Sequence, residues 1–129
     1  MSKRPKVKHI VSQLNKTWIF DLDGTVVKHN GHKIDGHDTL LSGAKEFLSA
    51  LPAGDMIVFI TSRGVEYKAQ TERFLAQSGI RFSTVVYDAP YGERILVNDA
   101  KPSGLKTAIA INTTRDVFIT EEFTVDEKL

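Results

Sequence analysis

The sequence predicts an α/β fold, with a doubly wound, mostly parallel sheet of five strands and helices on both of its faces. Short apolar runs alternate with segments of helical character along the chain. The most informative run, residues 18–26, reads Trp-Ile-Phe-Asp-Leu-Asp-Gly-Thr-Val. A buried parallel strand is a continuous apolar run, and ligands bind beyond its carboxyl end. This run therefore predicts both the first strand of the sheet and a site at its edge.

Length and composition predict a single globular domain and argue against a membrane protein or a nucleic-acid-binding protein. At 129 residues the chain is predicted to be one domain, residues 1–129, with 41% hydrophobic and 26% charged residues as in an ordinary globular protein. The 17 basic and 16 acidic residues leave a net charge of +1, which predicts no nucleic-acid partner. No apolar stretch is long enough to span a membrane. Cysteine is absent, which is compatible with the cytoplasmic location that we expect.

The predicted strands are apolar and rich in β-branched and aromatic residues. In chain order they are Thr17–Asp21, Met56–Ile60, Phe82–Tyr87, Ile95–Asn98 and, with a short helix as the alternative, residues 105–111. Capping and breaking residues bound the helices between them. The first helix is predicted over Ser42–Leu51, with Ser42 as its N-cap and Pro52 just beyond its end. The second begins near Gly64 and ends before Gly79, a suitable C-terminal glycine.

Three segments lie outside this alternation. Residues 1–16 form a basic N-terminal extension, in which a short helix is predicted over Ile10–Asn15. Residues 26–38 are rich in turn formers and contain an Asn-Gly pair at Asn30, which is a hairpin signal, so they predict a small flap. Residues 112–129 form a C-terminal tail of open role.

The first strand ends in two carboxylates that predict a metal site. Asp21 and Asp23 share a side because side chains alternate along a strand, and Gly24 permits the turn that follows. Two carboxylates this close repel each other unless a cation or a proton lies between them. Mg²⁺ is a hard cation that prefers oxygen ligands, so we expect it to bind there.

Residues 21–25, Asp-x-Asp-Gly-Thr, resemble the first motif of the haloacid dehalogenase-like superfamily, most of whose members are Mg²⁺-dependent phosphatases. Ser42–Leu48 resembles the helix that usually follows that motif. Ile57–Arg63 resembles the second motif, and Ile95–Asp99 resembles the fourth. The resemblance covers residues 17–99. It implies a small capless phosphatase with a Rossmann-like core, because neither gap between motifs is long enough for a cap domain.

The resemblance also implies roles for individual residues. Asp21 would be the nucleophile that forms an aspartyl-phosphate, and also a Mg²⁺ ligand. Asp23 would protonate the leaving oxygen, activate water and bind the metal through its carbonyl. Asp99 would be a further metal ligand, beside Asn98, where many relatives have a second acid. The residues expected to contact the phosphate are Gly24, Thr61, Ser62 and Arg63. The alternatives are that Thr61 or Ser62 is an ordinary helix N-cap and that Arg63 is exposed.

The chain departs from the superfamily at the third motif. Relatives place a phosphate-stabilising lysine there, whereas residues 88–90 read Asp-Ala-Pro with no cation. We rank Lys101 first as its replacement because it follows Asp99 on the expected side of the sheet. Arg94 ranks second and Lys68 third, and each of the three could instead be a solvated surface charge.

Three histidines, His29, His32 and His37, lie in the flap at spacings that would suit zinc. No cysteine joins them, and the glycines between them indicate a mobile loop. Solvated loop histidines are therefore the preferred interpretation, and contact with an anionic substrate is the main alternative.

The predicted function is Mg²⁺-dependent hydrolysis of a small phosphorylated metabolite, such as a sugar phosphate of polysaccharide biosynthesis. A phosphoprotein phosphatase and a degenerate, non-catalytic phosphate-binding or scaffold domain are the alternatives. A receiver domain is disfavoured by the order of the residues in Asp-x-Asp-Gly-Thr. The predicted partners are a small-molecule substrate, with no nucleic acid and no membrane, and a homo-oligomer is left open.

Overall fold

The computed structural model describes residues 6–129, which form two compact units. The core unit comprises Asn15–Tyr91 and Thr113–Ile119. The terminal unit comprises residues 6–14, 92–112 and 120–129. Both units contain parallel strands, so the α/β class is confirmed. The prediction that residues 1–129 form a single domain stays a prediction.

The sheet of the core unit contains three parallel strands in the order β2-β3-β4. They are β2 (Thr17–Asp21), β3 (Met56–Ile60) and β4 (Thr84–Val86). Asp21 pairs with Ile60, which in turn pairs with Val86, so the carboxyl ends of the strands are level. The predicted first two strands are confirmed with the same bounds, and the third is confirmed in a shorter form. Residues that follow β2 and β3 therefore meet at one edge of the sheet.

A continuous apolar core supports this sheet. Ile57 and Phe59 on β3 are fully buried, and Phe20 on β2 packs against Phe59 with ring centroids 6.2 Å apart. Phe118 comes from the distant segment of the core unit and stacks on Phe20 at 6.1 Å. Burying each such side chain contributes about 1.5–3 kcal/mol relative to leaving it exposed. The buried side chains of this core thus fix the positions of β2, which ends at Asp21, and of β3, which Thr61 follows.

The helices of the core unit follow their predicted positions with different ends. Helix α2 (Ala44–Ser49) begins after Gly43, whose φ is 88°. Gly43 is therefore the N-cap residue, no side chain of the described residues caps the helix, and the prediction of an N-cap at Ser42 is wrong. A 3₁₀ turn (Val65–Tyr67) leads into α3 (Lys68–Gln77), as the second predicted helix requires. Gly79 adopts a φ of +74°, which lets the Ile80 amide turn back and bond the Leu75 carbonyl at 2.9 Å.

The flap folds back on the core unit without a hairpin turn at Asn30. That residue has a left-handed φ of 56° and precedes α1 (Gly31–Ile34), a single helical turn. On either side of α1, Val27 and Leu40 form an antiparallel bridge. This bridge joins the two ends of the flap, and α1 lies between them.

The terminal unit contains a second, two-stranded sheet. Strand β1 (Lys8–Val11) pairs in parallel with β5 (Glu122–Val125), with Lys8 opposite Glu122. The predicted helix over Ile10–Asn15 is wrong because its first residues belong to β1. In the C-terminal tail, for which no strand was predicted, residues 122–125 form β5.

The five-stranded sheet is not confirmed. Residues 95–98 and 105–111 contain no strand in the structure, and the side chains of Ile95 and Val97 are 84% and 88% exposed. A strand needs a neighbour to satisfy its backbone groups, and an apolar run alone does not supply one. Within residues 6–129, no helix is both long enough and apolar enough to cross a membrane.

Candidate functional site

The Asp-x-Asp-Gly-Thr segment forms a tight turn at the carboxyl end of β2. Asp21 is partly exposed, and its Oδ2 accepts a hydrogen bond of 2.9 Å from the Thr25 hydroxyl. Gly24 adopts a φ of +81°, a region that side chains disfavour. The Gly24 amide donates to the Val27 carbonyl at 2.7 Å, which closes the turn. These two hydrogen bonds close the turn and orient the Asp21 carboxylate at the edge of the sheet.

Asp23 is held by groups that follow β3. The Thr61 hydroxyl donates to its Oδ2 at 2.8 Å. Arg63 donates from Nη2 to Oδ1 at 2.8 Å and from Nε to the same oxygen at 3.1 Å. A further contact joins Nε to Oδ2 at 3.3 Å. Both carboxylate oxygens of Asp23 are thus occupied by donors from the neighbouring strand end.

Arg63 is buried and bridges two carboxylates. Its second partner is Asp38 at the end of the flap, which accepts from Nη2 at 2.6 Å and from Nη1 at 2.9 Å. Nη1 also donates to the Thr71 hydroxyl on α3 at 3.0 Å. The side chains of Arg63 and Asp38 are each only 2% exposed. We call Asp23, Arg63 and Asp38 the buried ion cluster, and it ties flap, turn and helix together.

Electrostatics within the buried ion cluster keep Asp23 and Arg63 charged. Burial alone would favour the neutral form of Asp23, but the hydrogen bonds and charge of Arg63, with the Thr61 hydroxyl, outweigh it and lower its pKa. Burial likewise opposes the charge of Arg63, and the two carboxylates override it and raise its pKa. Asp23 is consequently ionised in this arrangement, so a role as a proton donor requires prior protonation.

His32 on α1 lies beside the buried ion cluster. Its side chain is 2% exposed, and its Nδ1 lies 4.0 Å from the nearest carboxylate oxygens of both Asp23 and Asp38. That is too long for a hydrogen bond, and within the described residues 6–129 neither ring nitrogen has a hydrogen-bond partner. The ring packs edge-on against Tyr67 at 5.1 Å. Burial first, and then the charge of Arg63, lower the pKa of His32. The interpretation of His32 as a solvated loop residue is wrong, whereas His37 is exposed.

A segment far along the chain packs on the turn. The Asp116 amide donates to the Gly24 carbonyl at 2.8 Å, and its carboxylate Oδ1 accepts from the His29 amide at 2.7 Å. Asp116 has a left-handed φ of 64°. The neighbouring Arg115 passes so close to Gly24 that a Cβ atom there would lie 3.3 Å from the Arg115 Cγ. An exposed arginine thus lies against the turn that carries Asp21 and Asp23.

The predicted site residues divide between the two units. Asp21, Asp23, Gly24, Thr61, Ser62 and Arg63 all belong to the core unit, whereas Arg94, Asn98, Asp99 and Lys101 belong to the terminal unit. Asp99 and Lys101 are exposed and lie in irregular chain, and their roles stay predictions. Lys68 donates to Glu72 at 2.8 Å, one turn further along α3. The alternative in which Arg63 is exposed is wrong.

Sequence reasoning missed Asp38, Thr71 and the segment that carries Arg115 and Asp116. Asp38 looked like one more polar residue in a turn-rich flap, and Thr71 like an ordinary position in a helix. Only the left-handed Asp116 had a local signal, since aspartate adopts that conformation more readily than most residues. Nothing in the linear order indicated which carboxylate would face Arg63.

The oxygen donors at this edge suit a hard cation. Asp21, Asp23 and Asp38 bring three carboxylates against one guanidinium, which leaves two formal negative charges in this group. Among residues 6–129, no set of three or more histidine, cysteine, aspartate or glutamate side chains is arranged to hold a metal ion. Mg²⁺ needs no such set, because it usually keeps several waters and binds one or two carboxylates and the substrate. The Asp21 carboxylate and the Asp23 carbonyl are the groups that would hold it.

Comparisons with known proteins are sparse. No family model matches the chain, and no curated protein sequence matches it. Among solved structures, a chain of the Pnkp1/Rnl/Hen1 complex is similar, with a TM-score of 0.50 and 28% sequence identity. The match covers 64% of this chain and 31% of that chain, so it spans less than a third of the similar protein.

These comparisons correct two predictions. Assignment to the haloacid dehalogenase-like superfamily is wrong, because the similarity is to a chain of the Pnkp1/Rnl/Hen1 complex and no family model supports the assignment. An acidic turn after a buried strand is a short motif, and it does not by itself define a family. The exclusion of nucleic acid as a partner is also wrong, because the similar chain belongs to the Pnkp1/Rnl/Hen1 complex. The net charge of a whole chain does not determine the local charge at one edge of a sheet, so it does not exclude a nucleic-acid partner there.

Proposed function

We propose that the core unit hydrolyses phosphomonoesters with the help of Mg²⁺, through an aspartyl-phosphate formed on Asp21. The observation that carries this proposal is the pairing of two carboxylates at one strand end, with Asp21 partly exposed and Asp23 held in place by Thr61 and Arg63. The similarity to a chain of the Pnkp1/Rnl/Hen1 complex supports phosphoester chemistry in general.

The reaction proceeds in two displacements. In the first, a carboxylate oxygen of Asp21 attacks phosphorus, the bond from phosphorus to the ester oxygen breaks, and the departing alkoxide takes a proton from water. In the second, water attacks the same phosphorus, the Asp21–phosphorus bond breaks, and inorganic phosphate leaves. The attacking water loses one proton, which Asp23 accepts and then releases to solvent, where it neutralises the hydroxide left by the first displacement. The Asp21 and Asp23 carboxylates are both regenerated.

We assign the water proton of the second displacement to Asp23. The lowered pKa of Asp23 keeps it ionised near neutral pH, which suits a proton acceptor better than a donor. Thr61 fixes the orientation of that carboxylate, so the hydroxyl acts on the reaction through Asp23. Mg²⁺, when bound, would neutralise charge on the phosphoryl oxygens. Asp99 stays a predicted additional ligand.

The substrate class is a phosphorylated small molecule or a phosphorylated chain end. A sugar phosphate of polysaccharide biosynthesis remains the specific expectation, with a phosphoprotein as the alternative. A nucleic acid that ends in a phosphomonoester also belongs in the substrate panel. A cytoplasmic location is part of the same proposal.

The test is phosphate release from a panel of phosphomonoesters, with and without Mg²⁺. Asp21→Asn preserves the shape of the side chain but removes the nucleophile, and we expect it to lower kcat by roughly 10³-fold or more. Asp23→Asn should slow the second displacement, so that acid-stable phosphate accumulates on the protein. The Thr25→Val variant is a matched control for loss of the hydrogen bond to Asp21 alone. Near wild-type turnover by a folded Asp21→Asn protein would refute the mechanism.

A non-catalytic phosphate-binding domain is a second candidate, and one observation favours it. The donors on Asp23 nearly fill the acceptor capacity of its carboxylate, which leaves little room for proton transfer. This candidate predicts that inorganic phosphate binds while no substrate in the panel releases phosphate. Equilibrium dialysis with labelled phosphate, alongside the hydrolysis assay, separates the two functions.

A further inference from the structure

The proposed reaction needs a protein cation that can contact the phosphoryl oxygens and neutralise their charge. Negative charge gathers on the phosphoryl oxygens beside Asp21 and Asp23, and one Mg²⁺ does not balance it. Arg63 is not available for this task, because its guanidinium is buried and committed to Asp23, Asp38 and Thr71. Lys68 is already bonded to Glu72. A different cation must therefore serve the exposed side of the turn.

Arg115 lies where such a cation is needed. Its aliphatic stem passes against Gly24, within the Asp-x-Asp-Gly-Thr turn. The backbone that carries it is anchored to the same turn by the Asp116 amide, which bonds the Gly24 carbonyl at 2.8 Å. Within residues 6–129, no hydrogen bond or ion pair engages the Arg115 guanidinium, and the residue is exposed. Its base is thus fixed while its charged end stays accessible to a ligand.

We propose that Arg115 binds the phosphoryl oxygens of the substrate and stabilises their negative charge. This inference rests on the proposed function. A guanidinium presents a planar fork of donors that matches two oxygens of a phosphate, and it stays charged at any physiological pH. Gly24 contributes by lacking a side chain, since a Cβ atom there would crowd the Arg115 stem.

The competing candidate is Lys101, which belongs to the terminal unit. The experiment compares Arg115→Ala, Arg115→Lys and Lys101→Ala in the full chain. Arg73→Ala is the matched control, because Arg73 is an exposed arginine of the same unit, on α3. Turnover is measured with Mg²⁺ and p-nitrophenyl phosphate, and affinity is measured with orthovanadate as a phosphoryl analogue.

We expect Arg115→Ala to lower kcat/KM roughly 10²-fold, as loss of one charge-stabilising donor does elsewhere. The dissociation constant of orthovanadate, measured by direct binding, should rise roughly tenfold or more, because a charged hydrogen bond is lost. Arg115→Lys should recover part of both effects, and Arg73→Ala should change neither. Melting temperatures should match for all four proteins.

The outcomes separate this inference from the proposed function. If Asp21→Asn abolishes turnover but Arg115→Ala behaves like Arg73→Ala, the assignment of Arg115 fails while the reaction stands. Loss of activity in Lys101→Ala, with Arg115→Ala unaffected, overturns it in favour of Lys101. If the wild type releases no phosphate, the proposed function fails, and the affinity for orthovanadate still decides whether Arg115 contacts an anion.

Discussion

Two arginines of the core unit differ in almost every respect that matters for function. Arg63 is buried and bonded to two carboxylates and a hydroxyl, and the two carboxylates raise its pKa. Arg115 is exposed, and its aliphatic stem lies close to Gly24 in the Asp-x-Asp-Gly-Thr turn. A guanidinium whose donors are all used holds a structure together, whereas one with free donors can bind a ligand. The difference in environment therefore divides stability and recognition between two identical side chains.

The largest expected effect comes from removing the guanidinium of Arg63 and, separately, that of Arg115. Arg63→Met leaves Asp23 and Asp38 buried without compensation, and we expect the free energy of unfolding to fall by about 3–5 kcal/mol. Arg115→Met should change it by no more than about 0.5 kcal/mol, as at an ordinary surface position. Urea denaturation followed by tryptophan fluorescence measures both. Equal losses in the two variants would contradict the division of roles.

A second prediction concerns the contribution of Thr61 to the buried ion cluster. Thr61→Val removes the hydroxyl that donates to Asp23 at 2.8 Å while keeping the volume of a fully buried side chain. We expect a loss of about 1–3 kcal/mol, because a carboxylate loses a donor that water cannot replace. Thr25→Val, at the partly exposed Asp21, should cost less. Chemical denaturation measures the stability loss of each variant. A larger loss in Thr25→Val than in Thr61→Val would show that the hydrogen bond to Asp21 contributes more than the one to Asp23.

Acid should destabilise the buried ion cluster in two steps. The pKa of His32 lies below its ordinary value of 6.5 in the folded protein, so the unfolded chain binds a proton first as the pH falls through 6.5. Stability is therefore lost from there down to the folded pKa of His32. The folded pKa of Asp23 is likewise below 3.8, so its contribution is present above that value and is lost below it.

Unfolding free energies between pH 8 and pH 3 check this prediction, with His32→Phe as the control. Phenylalanine keeps the aromatic packing against Tyr67 and cannot be protonated. The first step should disappear in this variant, while the loss below pH 3.8 remains. An unchanged profile in His32→Phe would show that another group titrates in the first window.

The smallest expected effect is at Lys68, which is exposed and pairs with Glu72 along one face of α3. Lys68→Ala should lower the unfolding free energy by about 0.3–0.5 kcal/mol, as is usual for an exposed pair at this spacing. Turnover should not change, because Lys68 already has a partner. A large loss of kcat with unchanged stability would return Lys68 to the set of phosphate-binding cations and weaken the case for Arg115.

Local sequence determined much of the core unit. The apolar runs of β2 and β3 predicted their bounds because a buried strand needs apolar side chains on both faces. The end of helix α3 before Gly79 followed from the left-handed turn that glycine permits. The position of Asp21 and Asp23 at one strand end followed directly from the apolar run that predicted β2.

Tertiary structure alone decided which side chains meet. Arg63 and Asp38 are 25 residues apart, and Arg115 reaches Gly24 from a segment beyond residues 92–112. Sequence patterns report local periodicity, whereas the partner of a buried charge depends on how distant segments pack. The run Ile95–Asn98 illustrates the same limit, because its strand-like composition found no neighbour in a sheet. Whether an arginine is buried or free, and so what it does, was decided by packing.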